Sequence, residues 1–148
     1  MWFNPIVTWL LRSPIHSLVS KGTMLLTVTG SRSGRLYSTP INYLREENRL
    51  WVISWRDRTW WRNLRGGAPM QVLLAGEELE GQGLVIEEVG RTAKSLSEYI
   101  RKAPQMARYF NVKVDKKGQP KEEDCAEAAE KMVMVRIDLD LEETQDVK

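Results

Sequence analysis

Apolar residues fall in short, β-branched runs through most of the chain, and at helical spacing in two later stretches. Met24 to Thr29 (MLLTVT) is a continuous apolar run closed by Gly30, the pattern of a buried strand. The turn Gly30-Ser31-Arg32-Ser33-Gly34-Arg35 leads to a second strand over Tyr37 to Leu44. Pro40 inside it lacks a ladder donor, which assigns that part to a sheet edge or a bulge. Glu46-Glu47-Asn48 predicts a hairpin loop before a third strand, Leu50 to Trp55 (LWVISW). Thr59 to Arg65 has helical character and ends at Gly66-Gly67, a C-cap pattern. Met70 to Ala75 and Leu79 to Glu88 predict another hairpin around Gly76-Glu77-Glu78. Gly81 and Gly83 suggest a bend or bulge in its longer strand.

Arg91 to Lys102 predicts a helix with Thr92 or Ser95 as cap and Leu96, Tyr99 and Ile100 on one face. Pro104 to Phe110 predicts a second helical piece. Lys116-Lys117-Gly118 is a turn, Glu122 to Lys131 an amphipathic helix, and Met132 to Leu139 a last strand. Hairpins, a late helical insert and a returning strand predict a mainly β fold with flanking helices (α+β), a small closed or split barrel. They do not suit a parallel α/β sheet. The 148 residues are one domain's worth, with a helix expected over about 1–20 and an acidic tail over about 140–148.

The N-terminal stretch is apolar but stops at Arg12 and Pro14, well short of the roughly 20 residues a membrane span needs. Neither a basic n-region nor a nearby cleavage site marks it as a signal peptide. Trp2, Ile6, Trp9 and Leu10 repeat near the helical period. Such a helix packs on its own domain or on a second subunit, or lies against a membrane surface as a peripheral contact. His16 reads as a packed residue.

Composition narrows the chemistry. One cysteine (Cys125) and one histidine (His16) leave no disulfide, no two-histidine zinc motif and little for a Ser-His-Asp enzyme, and no metal site is expected. A reducing, cytoplasmic setting follows. Six tryptophans and an apolar N-terminal segment exceed what a small barrel readily buries, which predicts a homodimer. From Arg32 to Arg65 eight arginines face three acids, a net charge of +5. From Asp115 onward the balance is −5. Arginine forks suit phosphate and carboxylate, so the first region reads as anion-facing. Arginines among Trp51, Trp55, Trp60 and Trp61 could also serve nucleic acid. The acidic tail and the lack of a known binding motif speak against that, and no nucleic-acid partner is expected.

The segment Leu25 to Gln71 resembles the deazaflavin-dependent nitroreductase and quinone reductase family, on the flavin-binding split barrel of the pyridoxamine-phosphate-oxidase-like type. The likeness rests on the turn Gly30-Ser31-Arg32-Ser33-Gly34, on Thr39-Pro40, on Ser54, on Trp60-Trp61-Arg62-Asn63-Leu64 and on Pro69, in that order and spacing. The flanks Arg12-Ser13-Pro14-Ile15-His16 and Arg108-Tyr109-Phe110 are similar as well. Ser31 stands where such turns usually carry a basic residue; Arg35, Arg56 or Arg58 could compensate.

The resemblance implies coenzyme F420 as cofactor, with flavin mononucleotide (FMN) as the alternative. It also implies hydride transfer to a quinone, nitroaromatic or similar conjugated small-molecule acceptor. A non-catalytic carrier of flavin, haem, deazaflavin or lipid is the rival on the same fold. F420 has a flat tricycle, a phosphodiester and a glutamate tail. Arg32, Ser33, Gly34 and Arg35 would form its anion nest. Thr39, Pro40, Ile53 and Ser54 would line the ring. Trp60 would pack near it, and Asn63 would hold the loop or touch the phosphate region. Arg56, Arg58 and Arg62 would meet the tail carboxylates. Tyr109 would position the acceptor. No residue stands out as a general acid or base, which suits chemistry carried by a cofactor.

Overall fold

A computed structural model describes residues 23–140. The helix expected over about 1–20, with His16, and the tail beyond Asp140 lie outside the described residues. Seven strands form one antiparallel sheet: β1 (Thr23–Thr29), β2 (Leu36–Asn42), β3 (Leu44–Glu46), β4 (Arg49–Trp55), β5 (Ala68–Leu74), β6 (Glu77–Ile86) and β7 (Met132–Leu139). Helices α1 (Val89–Lys102) and α2 (Glu122–Ala129) lie between β6 and β7, and 3-10 segments cover Trp60–Leu64 and Pro104–Phe110.

The sheet order is β2-β1-β5-β6-β7-β4-β3. Its two margins are therefore consecutive in sequence, separated only by Tyr43. The expected single strand Tyr37 to Leu44 is in fact two. The first pairs with β1 (Leu26 opposite Thr39) and the second with β4 (Leu44 opposite Trp51). Pro40 lies on β2, a marginal strand, where its missing N–H interrupts no second ladder. Met24, Leu26 and Val28 of β1 share one buried cluster with Leu50 and Val52 of β4, Met70 and Val72 of β5, and Val133, Val135 and Ile137 of β7. Strands from both halves of the order meet in that cluster, so the sheet curls around it into a barrel.

Strand alternation turns the other face of β4 and β7 outward, where the helices cover it. Ile53 packs with Leu96, Ile100, Cys125 and Met132, while Trp51 and Met134 pack with Tyr99 and Phe110. Met132 to Leu139 is thus an almost unbroken apolar run because helices lie on one side and the barrel core on the other. Leu96, Tyr99 and Ile100 share the buried face of α1.

Three local readings change. The β5–β6 hairpin turns at Ala75-Gly76, both with positive φ (52° and 82°), as a two-residue turn compatible with strand twist; Glu77 and Glu78 already belong to β6. The cap of α1 is Glu88, whose carboxylate accepts N–H bonds from Gly90 and Arg91, both 2.9 Å. Thr92 instead donates to the Ile86 carbonyl at 3.1 Å. Gly81 and Gly83 create no bulge, since register runs unbroken from β5 through β6 to β7. They mark close approach: a Cβ on Gly81 would lie 2.7 Å from the Asp138 carbonyl oxygen, and one on Gly83 2.7 Å from Met70 Sδ.

Candidate functional site

The β1–β2 turn is tightly closed. Gly30 N donates to the Arg35 carbonyl at 2.7 Å, Gly34 N to the Gly30 carbonyl at 3.0 Å, and Arg35 N to Ser33 Oγ at 3.1 Å. Gly34 takes φ 74°, a conformation that favours glycine. Across from the turn lies the 3-10 segment Trp60–Leu64. Asn63 joins the two: its Oδ1 accepts from Ser31 N at 2.9 Å, and its Nδ2 donates to the Trp60 carbonyl at 3.0 Å. Between turn and segment is an open hollow of about 610 Å³. Of the residues singled out in the sequence, Arg32, Ser33, Trp60 and Asn63 line it together.

Tyr37, Thr59, Arg62 and Arg65 line it too. Tyr37 was overlooked by sequence reasoning, although strand alternation puts it on the same face of β2 as Thr39. Its ring lies over the bare Cα of Gly30, where an added Cβ would meet Cε2 at 2.8 Å. Arg65 escaped notice because its neighbour in space, Glu87, is distant in sequence.

The described lining of the hollow is cationic, and no acidic residue is among it. Arg65 is held by a two-point pair with Glu87 (2.9 and 3.0 Å), which pushes the guanidinium pKa above its ordinary value. The guanidinium carbons of Arg62 and Arg65 sit 5.6 and 5.3 Å from the ring centre of buried Trp61. Among the described residues, neither Arg32 nor Arg62 has a carboxylate within ion-pair distance. The backbone N–H groups of Arg32 and Ser33 likewise have no acceptor among these residues. Two arginines without a carboxylate partner among the described residues therefore line one hollow with a serine hydroxyl, a setting that suits a phosphate or carboxylate.

Trp60 forms an aromatic side of the hollow, its Nε1 donating to Ser54 Oγ at 3.1 Å. Ser54 is buried beneath it and supports that ring. The other expected positions are not brought to the hollow. Ile53 faces the helix-side clusters, opposite Ser54. Thr39 and Pro40, adjacent on β2, face opposite sides, as strand alternation requires. Gly34 and Arg35 belong to the turn but lie outside the lining, and Arg35 is exposed. Arg56 turns into the framework: one Nη2 donates to the carbonyls of Glu87 (2.9 Å), Ala129 (3.1 Å) and Met132 (2.9 Å). Arg58 is exposed outside the lining, and Tyr109 is 62% exposed on Pro104–Phe110.

Comparison with known proteins bears on the family and the fold. The sequence matches the F420H2-dependent quinone reductase family over residues 13–137. No curated protein matches. Among solved structures, a candidate pyridoxamine 5'-phosphate oxidase from Listeria innocua is similar at 14% identity and TM-score 0.54, covering 85% of this chain and 88% of that one. An F420-H2 dependent reductase is similar at 16% identity and TM-score 0.53, covering 82% and 96%. A FAD and haem binding protein from Mycobacterium smegmatis is similar at 16% identity and TM-score 0.52, covering 87% and 66%. These likenesses establish the split-barrel fold. The residues around the hollow fit a flat, multiply anionic cofactor, with Arg32 on the turn, Arg62 and Arg65 across from it, and the aromatic ring of Trp60 beside them. The chain belongs to the F420H2-dependent quinone reductase family and is an F420-dependent reductase.

Proposed function

We propose that the protein uses reduced F420 to reduce a quinone, a nitroaromatic or a similar flat, conjugated acceptor. The observation that carries this reading is the hollow between the β1–β2 turn and Trp60, lined by arginines and by no acid among the described residues. When bound, reduced F420 supplies the hydride. Arg32, Ser33 and the turn N–H groups hold the anionic part of the ligand, while Trp60 and Tyr37 offer flat surfaces to its aromatic part. Among the described residues that line the hollow none is a carboxylic acid, histidine or thiol; the share of the work assigned to them is orientation and exclusion of water. Thr39, Pro40, Gly34 and Arg35 belong to this proposal as supports of the turn and its strand. Tyr109 belongs to its acceptor side, and Tyr109→Phe is expected to lower turnover and leave cofactor affinity unchanged.

A cytoplasmic homodimer completes the reading; sedimentation at micromolar concentration tests the dimer, and a particle of 17.1 kDa would remove it. No helix among the described residues is long and apolar enough to cross a membrane. The central test mixes the reduced-cofactor complex with menadione or a nitrofuran under stopped flow. Rapid reoxidation is expected, and a cofactor that stays reduced against a panel of such acceptors sinks the acceptor assignment. Titration with F420 and FMN in parallel should show preference for F420. Arg32→Ala should weaken F420 binding by about 1.5–3 kcal/mol, the range for hydrogen bonds to charged groups.

A further inference from the structure

A second concentration of positive charge lies away from the hollow. Residues 101–121 carry seven lysines and arginines against one acid, Asp115, a net charge of +6. Lys102 pairs with Glu46. Arg101, Arg108, Lys113, Lys116, Lys117 and Lys121 are exposed and have no carboxylate within ion-pair distance among the described residues. The segment folds as one lobe on the end of α1. Lys121 N donates to the Lys113 carbonyl at 2.8 Å and Asp115 N to the Gln119 carbonyl at 3.0 Å, closing a short hairpin with Lys116-Lys117 at its tip. The hairpin is tied back to its base: Arg101 Nε donates to Gln119 Oε1 at 3.0 Å, and a Cβ on Gly118 would lie 3.6 Å from Pro104 Cγ. Val112 N donates to the Ala107 carbonyl at 3.1 Å, which joins the hairpin to the segment carrying Arg108 and Tyr109.

The neighbouring acids are engaged elsewhere. Asp115 Oδ1 accepts the N–H groups of Lys117 and Gln119 at 2.8 and 2.9 Å, and Asp124 Oδ2 accepts that of Lys113 at 3.0 Å. Glu122 and Glu123 share the first turn of α2 with Asp124, where the helix dipole favours negative charge. Two large apolar side chains stand exposed among the cations, Tyr109 at 62% and Val114 at 37%. Four of the six free cations are lysines, compact charges suited to a diffuse field of headgroups, whereas an arginine fork suits one defined phosphate. Lysines around an exposed aromatic and an aliphatic side chain match the boundary between charged headgroups and hydrocarbon. From this we infer that the lobe over residues 101–121 is a docking surface for a bilayer that carries anionic headgroups. It is distinct from the N-terminal stretch whose apolar spacing suggested a membrane contact. The lysines meet the headgroups, and Val114 and Tyr109 enter the interface between them. Docking also turns Tyr109 towards an apolar acceptor dissolved in the bilayer; that clause rests on the proposed reductase reading, and the docking itself does not.

The test is co-sedimentation of the full chain with vesicles of phosphatidylcholine alone and of phosphatidylcholine mixed with phosphatidylglycerol, at low and high salt. Binding is expected on the mixed vesicles only, and high salt should release most of it. Lys116→Gln/Lys117→Gln should lower the partition coefficient about 10- to 30-fold, the loss for two lysines near a charged membrane surface. Val114→Ser should lower it severalfold, which a purely electrostatic contact does not require. Arg91→Gln/Lys94→Gln removes the same charge from the other end of α1, about 15 Å away along the helix and beyond the screening length, and should stay near wild type. Equal loss in both double variants, or binding that survives Lys116→Gln/Lys117→Gln, overturns the inference. So does binding to polyglutamate or duplex DNA with none to the mixed vesicles, which would assign the lobe to a soluble polyanion. Stopped-flow reduction of menadione, an acceptor free in water, should be unchanged in Lys116→Gln/Lys117→Gln. Wild-type protein that binds the vesicles yet fails to reduce menadione supports the docking and removes only the clause about the acceptor.

Discussion

Replacing Arg56 with methionine should unfold the protein more readily and leave cofactor affinity alone. The guanidinium Nη2 carries two hydrogens and faces three carbonyl oxygens, those of Glu87, Ala129 and Met132, at 2.9, 3.1 and 2.9 Å. At most two full bonds can exist at once, with the third acceptor sharing. A hydrogen bond from a charged donor contributes about 1.5–3 kcal/mol. Arg56 is only half-buried, so water can reach part of what the substitution exposes, and the lower end of that range applies. Two bonds at that end give a loss of about 3 kcal/mol. The three carbonyls come from the end of β6, the end of α2 and the start of β7, so the loss loosens three elements together. Urea unfolding at neutral pH measures it, and the midpoint of thermal unfolding should fall by about 10 °C. Arg56→Lys, with a smaller and rounder donor head, should recover only part. A methionine variant within about 1 kcal/mol of wild type would refute the reasoning. A stable variant that no longer binds F420 would return Arg56 to the ligand.

Gly81→Ala should destabilise by about 2 kcal/mol, because its Cβ meets the fixed Asp138 carbonyl oxygen. Gly83→Ala should cost less, since Met70 and Leu64 side chains can move; urea unfolding of both variants checks the order. The Glu88 carboxylate accepts two backbone N–H bonds at the start of α1, which hold its pKa below the ordinary value of 4.5. That stabilisation is present above pH 4.5 and is lost as pH falls through the lower folded-state value, so the melting midpoints of wild type and Glu88→Ala should converge in acid. Burial pushes the Tyr99 phenol up to about 12 from 10. The folded chain keeps a proton that the unfolded chain releases, so stability falls as pH rises from 10 towards 12; ultraviolet titration should show a late-ionising tyrosine that Tyr99→Phe lacks.

Elements whose signal is local were legible in the sequence. Met132 to Leu139 is a strand at the bounds its apolar run suggests, and Pro40 does mark a marginal strand. The turn at residues 30–35 and the Trp60–Leu64 segment do face each other, and Asn63, expected from the resemblance to hold the loop or touch the phosphate region, bonds to Ser31 N of the turn. What stayed hidden depends on distant partners. The break at Tyr43 follows from two different neighbours, β1 and β4, claiming the two halves of one apolar stretch. Gly81 and Gly83 look like bend signals until β5 and β7 are placed beside them. Arg56 resembles any surface arginine in an arginine-rich region, because its acceptors lie 31 to 76 residues away. Glu88 caps α1 although a threonine and a serine nearby carry the commoner capping side chains.

The partnership of β4 with β7 sets an order of events during synthesis. Arg49 pairs with Asp138, 89 residues later, and its Nε donates to that carboxylate at 2.8 Å. The other neighbour of β4 is the three-residue β3. While the ribosome is still making the intervening hairpin and helices, Leu50 to Trp55 has almost nothing to pair with, and its apolar faces stay open to water. Closure waits for the stretch from Met132 to Leu139, and such long-range pairing is slow and exposes nascent strands to one another. A nascent chain halted before Met132 therefore has most of a barrel's strands but lacks the one that joins β6 to β4, and it is the species on which chaperone dependence should concentrate.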